Sequence, residues 1–182
     1  TRMVNQNFTK SIGPSSWLQR HSSLIPHSGP ILDIAAGSGR HTLYLLEKGH
    51  TVVSIDKDIS RLAQIKSSHL SIARVDLETP KPWPFKNSAF AAVIVTNYLH
   101  RPLFPQIIKA LALGGVLVYE TFAAGNEKFG KPTNPDYLLK AGELIQLTLG
   151  HLHILAYEDL TVDQPRPAQI QRIVASRPIL HK

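Results

Sequence analysis

Apolar positions in this chain fall into short continuous runs, separated by stretches in which they recur every third or fourth residue. The runs are ILDI (31–34), TVVSID (51–56), LSIARVD (70–76), FAAVIVTNYL (90–99) and GVLVYETF (115–122). Their shortness and β-branched content predict strands, and their lack of apolar–polar alternation predicts burial on both faces, as in a parallel sheet. Between them the spacing predicts helices: from Gly39 through Leu43, Leu45 and Leu46 to a cap at Gly49; across DISRLAQIKSS (58–68), with Ile59, Leu62, Ala63 and Lys66 on one side; and across LFPQIIKALAL (103–113), stopped by Gly114 and Gly115. An earlier amphipathic helix is expected in SSWLQRHSSLI (15–25), capped by Ser15 or Ser16. Strands alternating with helices imply right-handed crossovers and a parallel sheet covered on both faces.

The last third departs from that alternation. AAGNEKFGKPTNPDYLLKAG (123–142) is rich in Gly, Pro and Asn and shows little periodicity. A loop of that length in a compact domain is usually functional or disordered. ELIQLTLG (143–150) is a helix pattern, and two strand patterns follow with no helix between them, near 153–160 and 170–176. The turn-rich TVDQPRPAQ joins them, so they pair most naturally as an antiparallel hairpin at the sheet edge.

The chain has 182 residues, an ordinary size for one domain, with 43% hydrophobic and 18% charged residues. No window reaches the roughly 18 apolar residues of a membrane span, and the N-terminal TRMVNQNFTKSIGPSSW has no signal-type apolar core, so a cytoplasmic location and no membrane partner are expected. The absence of cysteine excludes disulfides and thiolate metal sites. Among the nine histidines only His151-x-His153 has close spacing, and no metal is expected. A net charge of +7 raises RNA as a partner, but the 20 basic residues are scattered singly, which favours an ordinary solvated surface.

Candidate chemistry begins in LDIAAGSGRHTLYL. Gly37 and Gly39 form a G-x-G turn between a strand and a helix, but Thr42 stands where the third glycine of a dinucleotide fingerprint belongs. Asp33 precedes the turn to give D-x-x-x-G-x-G, Asp56 ends the second strand, Asp76 ends the third, and a hairpin replaces a dehydrogenase's last crossover.

Over roughly residues 30–176 the chain resembles the class I S-adenosylmethionine-dependent methyltransferases. LDIAAGSGRHTLYL is similar to the first motif of the small bacterial tellurite-resistance-type enzymes, and VTNYLHRPLF and YETFAAGNEKFG to segments of a related bacterial group. The resemblance implies a Rossmann-like, doubly wound α/β fold: a mostly parallel sheet of seven strands with helices on both faces, its last strand antiparallel and inserted beside the fifth. The expected organisation is a single domain over 1–182, with 1–29 an N-terminal cap-helix region and 30–182 the core. It also implies S-adenosylmethionine as cofactor and S-adenosylhomocysteine as product. The cofactor would be held by Asp33, Ala35, Gly37, Gly39, Arg40, Asp56, Lys57, Asp76, Leu77 and Asn97. Bare backbone at Gly37 and Gly39 would admit the ligand, Asp33 would lie near the ammonium, Asp56 would accept from the ribose, and Asp76 with the Leu77 amide would read the adenine. Arg40 and His41 are open between contacting the cofactor carboxylate and simply starting the helix.

Methyl transfer is an in-line displacement, so holding the acceptor near the methyl carbon supplies much of the rate. The fourth strand ends in TNYLHRP, which lacks the Pro-Pro-aromatic sequence of nucleic-acid amino methyltransferases. Asn97, Tyr98 and His100 are the catalytic candidates, with His100 the best general base because imidazole titrates near neutrality. Arg101 is a candidate anion clamp. Glu120 is a candidate for a cationic substrate, or a partner for Arg101. Asn126, Glu127 and Phe129 are candidates for a lid hinged at Gly125 and Gly130, and Trp17 for a cover over the cofactor. The expected activity is methylation of a small polar or anionic acceptor. An RNA (tRNA) methyltransferase is the alternative, followed by a non-catalytic cofactor-binding partner subunit; a dehydrogenase is the weakest rival.

Overall fold

The computed structural model describes residues 13–179. The stretch before Gly13, read above for a signal peptide, lies outside them, as does His181. Seven strands form one sheet: β1 (Ile31–Ile34), β2 (Val52–Asp56), β3 (Leu70–Arg74), β4 (Phe90–Thr96), β5 (Leu111–Phe122), β6 (His153–Val162) and β7 (Ala168–Ser176). Their order is β3-β2-β1-β4-β5-β7-β6. The first five are parallel, while β7 runs antiparallel between β5 and β6. This is the expected mixed sheet with its edge hairpin.

Side-chain alternation along the strands divides the interior into two layers. Leu32 and Ile34 of β1, Val93 and Val95 of β4, and Leu117 and Tyr119 of β5 pack with Phe104, Ile107 and Leu144. The last three sit on α3 (Phe104–Ala110) and α4 (Glu143–Thr148). Ile31, Ala92, Ile94, Val116 and Val118 face the opposite layer with Trp17, Leu18 and Leu45, carried by α1 (Ser16–His21) and α2 (Arg40–Glu47). Ser15 caps α1 by accepting from the Trp17 and Leu18 amides, and Gly49, at φ +86°, ends α2 in the left-handed region that glycine tolerates best.

The expected helix over 58–68 is not formed. Only a single turn of 3₁₀ helix, Leu62–Gln64, survives. Asp56 Oδ1 accepts from the Asp58 amide (2.9 Å) and Asp58 Oδ1 from the Ser60 amide (3.0 Å). These aspartate turns order the start of the segment locally. The connection from β3 to β4 also lacks a helix, and β3 is left as a largely exposed edge. Among the described residues no helix is long and apolar enough to cross a membrane.

Candidate active site

Five parallel strands place their carboxyl ends along one edge of the sheet, and a cavity of about 440 Å³ opens there. Its wall takes Ala35 from the end of β1, Asp56 and Lys57 from β2, Asp76, Leu77 and Glu78 from the turn after β3, Asn97 and Tyr98 from the end of β4, and Thr121 and Phe122 from β5, with Pro132 and Tyr137 from the long connection beyond. Two of these residues are held in unusual backbone: Ala35 at φ +53° and Asn97 at φ +56°. A non-glycine residue at such an angle costs about 1–3 kcal/mol, and such angles cluster at functional sites.

Asp56 is fixed before any ligand arrives. Its Oδ2 accepts from the Gly37 amide (2.9 Å) and its Oδ1 from the Asp58 amide (2.9 Å). Each oxygen keeps a further lone pair, so the carboxylate still accepts from two hydroxyls. The glycines divide their labour. Gly37, at φ +57°, has nothing within 4 Å of the place its Cβ would occupy, so the turn presents open backbone there. A Cβ on Gly39, at φ +84°, would lie 2.5 Å from Ile65 Cδ1 and 3.0 Å from Leu62 Cδ2. Gly39 is therefore bare for contact with the 62–65 turn rather than for a ligand.

Beneath the turn lies Asp33, buried and outside the cavity wall. Thr42 Oγ1 donates to its Oδ2 (2.7 Å) and also meets Ser54 Oγ, giving the residue in place of the third glycine a polar task. Burial pushes the Asp33 carboxyl up to about 7 against the opposing pull of the Thr42 hydrogen bond and Arg40. His41 is pushed down to about 3 by burial and by Arg40, and its Nε2 accepts from the Ser15 amide (3.1 Å). His41 thus works as a neutral anchor for α1. Arg40 donates to the Gly13 carbonyl (3.1 Å) and is partly desolvated, so it helps hold the same segment.

Residues 31–115 match a family model described as a methyltransferase domain. The match spans just under half of the chain, and the fold around it is the one shared by class I methyltransferases. That class uses S-adenosylmethionine, and its fold recurs among solved structures. The chain is similar to an S-adenosylmethionine-dependent methyltransferase from Mesorhizobium loti (16% identity, 90% of this chain and 98% of that one, TM-score 0.69). It is also similar to TehB from Haemophilus influenzae (14%, 93% and 64%, TM-score 0.72). A third likeness is to the 1,6-didemethyltoxoflavin-N1-methyltransferase of Burkholderia thailandensis, solved with 1,6-didemethyltoxoflavin and S-adenosylhomocysteine (17%, 90% and 79%, TM-score 0.64). At these identities the likeness establishes the fold. No curated protein matches the chain in sequence.

Within this site the anticipated residues divide clearly. Ala35, Asp56, Lys57, Asp76, Leu77, Asn97 and Tyr98 meet at the cavity. Asp76 also caps its own turn, Oδ1 accepting from the Glu78 amide (3.0 Å). The Tyr98 hydroxyl is pushed upward by burial and by the carboxylates of Glu78, Asp76 and Asp56, so it stays protonated and acts as a donor, not a base. His100 is off the wall but places Nδ1 3.5 Å from Glu78 Oε1, and Glu78 is on it.

Five substrate candidates are spent elsewhere. Arg101 is engaged by Glu143, with Nε donating to Oε2 at 2.6 Å, and by the Asp136 and Leu138 carbonyls, so no anion clamp remains. Glu120 pairs with Arg172 (3.2 Å) and accepts from Ser15 Oγ (3.0 Å), not with Arg101. Asn126 is buried, donating to the Pro132 carbonyl and accepting from the Gln169 amide, and Glu127 accepts from the Gly125 amide. Trp17 is a core residue 1% exposed, its Nε1 donating to the Ile173 carbonyl (3.2 Å) and Arg172 lying 4.9 Å over its ring, so it does not cover the cavity. Phe129 projects to solvent, 44% exposed, away from the wall.

The wall residues that the sequence did not single out include Glu78, Thr121, Phe122, Pro132 and Tyr137, beside the aliphatic Ile34, Ile55, Val75 and Leu99. Glu78 stands two places beyond Asp76, and this offset was the available signal. Pro132 and Tyr137 reach the site because the 123–142 segment folds back on the sheet, through the Ala123–Leu139 bridge and the Arg101 contacts. Among the described residues no group of three or more metal-ligating side chains gathers.

Proposed function

We propose that the chain transfers the methyl group of S-adenosylmethionine to a small, polar, uncharged or cationic acceptor. The observation that carries this reading is one cavity that joins the pinned Asp56 carboxylate to the strained Asn97–Tyr98 corner. The donor supplies an electrophilic methyl group on a sulfonium. Three carboxylates on the wall, Asp56, Asp76 and Glu78, stand against the single ammonium of Lys57. That balance favours a cationic ligand. Asp56 is suited to the ribose hydroxyls, Asp76 and the Leu77 amide to the adenine edge, and the Gly37 backbone to the amino-acid end.

The same balance argues for revising the acceptor. With Arg101 tied to Glu143, the acceptor end offers Asn97, the Tyr98 hydroxyl, Thr121, Phe122 and Tyr137, a set of neutral hydrogen-bonding groups and rings. A flat polar molecule fits that set better than an anion. The B. thailandensis enzyme, named for methylation of 1,6-didemethyltoxoflavin at N1, is a precedent in fold for a small-molecule acceptor. Where the acceptor must lose a proton, His100, paired with Glu78, is the proposed base.

The test is incubation with radiolabelled S-adenosylmethionine and fractionated cell extract. Label entering a small-molecule fraction supports the reading; label entering only RNA or protein overturns it. His100→Ala should leave S-adenosylhomocysteine binding intact and slow the labelling. Normal labelling removes His100 from that role.

A further inference from the structure

The connection from β3 to β4 carries prolines at 80, 82 and 84 and forms no helix. Where a crossover helix would cover the sheet, a trough of about 490 Å³ is left between this segment and the start of α3. It is separate from the methyl-transfer cavity but backs onto it, because Val75, Asp76 and Leu77 line both.

The composition of the trough points to a ligand class. Trp83 lines it, half buried, and is braced edge-on by Phe85 (5.3 Å, 75°), which meets Phe90 in the same manner (5.2 Å, 79°). A ring backed by an aromatic ladder is a rigid stacking platform. Arg74 and Lys81 line the trough as well, both exposed, and among the described residues neither has a carboxylate within ion-pair distance. The one carboxylate present, Asp76, is partly committed to the Glu78 amide. Gln106 adds an amide that both donates and accepts. A fixed indole face, two unengaged cations and an amide together match a flat heterocycle bearing a phosphate.

We propose that this trough binds a nucleotide unit, its base against Trp83 and its phosphate at Arg74 and Lys81. The unit is either a free mononucleotide or one residue of an RNA strand. Nothing in this inference depends on the identity of the methyl acceptor.

The experiment is titration of the protein, saturated with S-adenosylhomocysteine, with uridine and guanosine 5′-monophosphate and separately with a hexauridylate, following tryptophan emission. Trp17 is sealed in the core, so quenching reports Trp83, and W83F should abolish it. Quenching by a mononucleotide supports a free nucleotide as the ligand; quenching by the hexamer alone supports an RNA strand. In either case R74A/K81A should weaken binding about tenfold or more, as expected for lost charge-assisted hydrogen bonds. Both side chains are at the surface, and an unchanged melting temperature verifies that the variant folds. No quenching by either probe at millimolar concentration overturns the proposal, as does quenching that survives R74A/K81A. If S-adenosylhomocysteine does not bind at all, the cofactor reading fails separately, and the titration is run on the free protein with the same two outcomes.

Discussion

Replacing Asp33 with asparagine tests how the floor of the glycine turn is built. The carboxyl is buried and its pKa is raised from 3.8 to about 7, burial being the largest cause. Below pH 4 it is protonated in both folded and unfolded chains and contributes no difference. Between roughly 4 and 7 the folded chain holds a proton that the unfolded chain has released, so stability falls as pH rises. Above 7 the full cost is present. A displacement of about three pH units, at about 1.4 kcal/mol each, amounts to roughly 4 kcal/mol. Asparagine keeps an oxygen to accept from Thr42 Oγ1 and does not titrate. Urea denaturation of both proteins at intervals from pH 4.5 to 8 should show the Asp33→Asn variant gaining on the wild type by up to about 4 kcal/mol, most of it below pH 7.5. A difference that stays flat across that range would refute the reasoning, because Asp33 would then titrate as an exposed aspartate does.

His41 titrates in the opposite sense. Its pKa is held down at about 3, so its contribution is intact above 6.5 and is lost as pH falls toward 3; His41→Gln should flatten that acid limb in the same denaturation series, and an unchanged limb would count against it. Arg101→Met should destabilise by about 2–3 kcal/mol, since it leaves the Glu143 carboxylate, 10% exposed, without its partner; an unchanged denaturation midpoint would show the ion pair to be idle. The two glycines should separate in a paired test. Gly39→Ala should lower thermal stability by straining φ +84° and striking Ile65, while Gly37→Ala should mainly weaken S-adenosylhomocysteine binding. Equal effects of the two on binding would contradict the division proposed for them.

Much of this architecture was legible because it is local. The five parallel strands are continuous apolar runs, and the residues that end them (Ala35, Asp56, Asp76, Asn97) meet at one edge by the geometry of a parallel sheet alone. The failures share a cause as well. Arg101 finds Glu143 and Glu120 finds Arg172 across 42 and 52 positions of chain, and no local pattern announces either pairing. Trp17 was ambiguous for the same reason, since its hydrogen bond spans 156 positions. The helix over 58–68 was misread from apolar spacing: the segment instead opens with consecutive aspartate turns at Asp56 and Asp58 and keeps one 3₁₀ turn at Leu62–Gln64. Thr42 looked like a defect in a glycine motif and is instead the donor to Asp33.

The central claim is that the carboxylate of Asp56, held by the Gly37 amide, receives the ribose of an adenosyl sulfonium cofactor. Calorimetric titration of the wild type and of Asp56→Ala with S-adenosylhomocysteine tests it most directly. Binding by the wild type, weakened about a hundredfold in the variant as two charge-assisted hydrogen bonds are lost, is the predicted result. No binding by the wild type, or equal binding by both proteins, would contradict it.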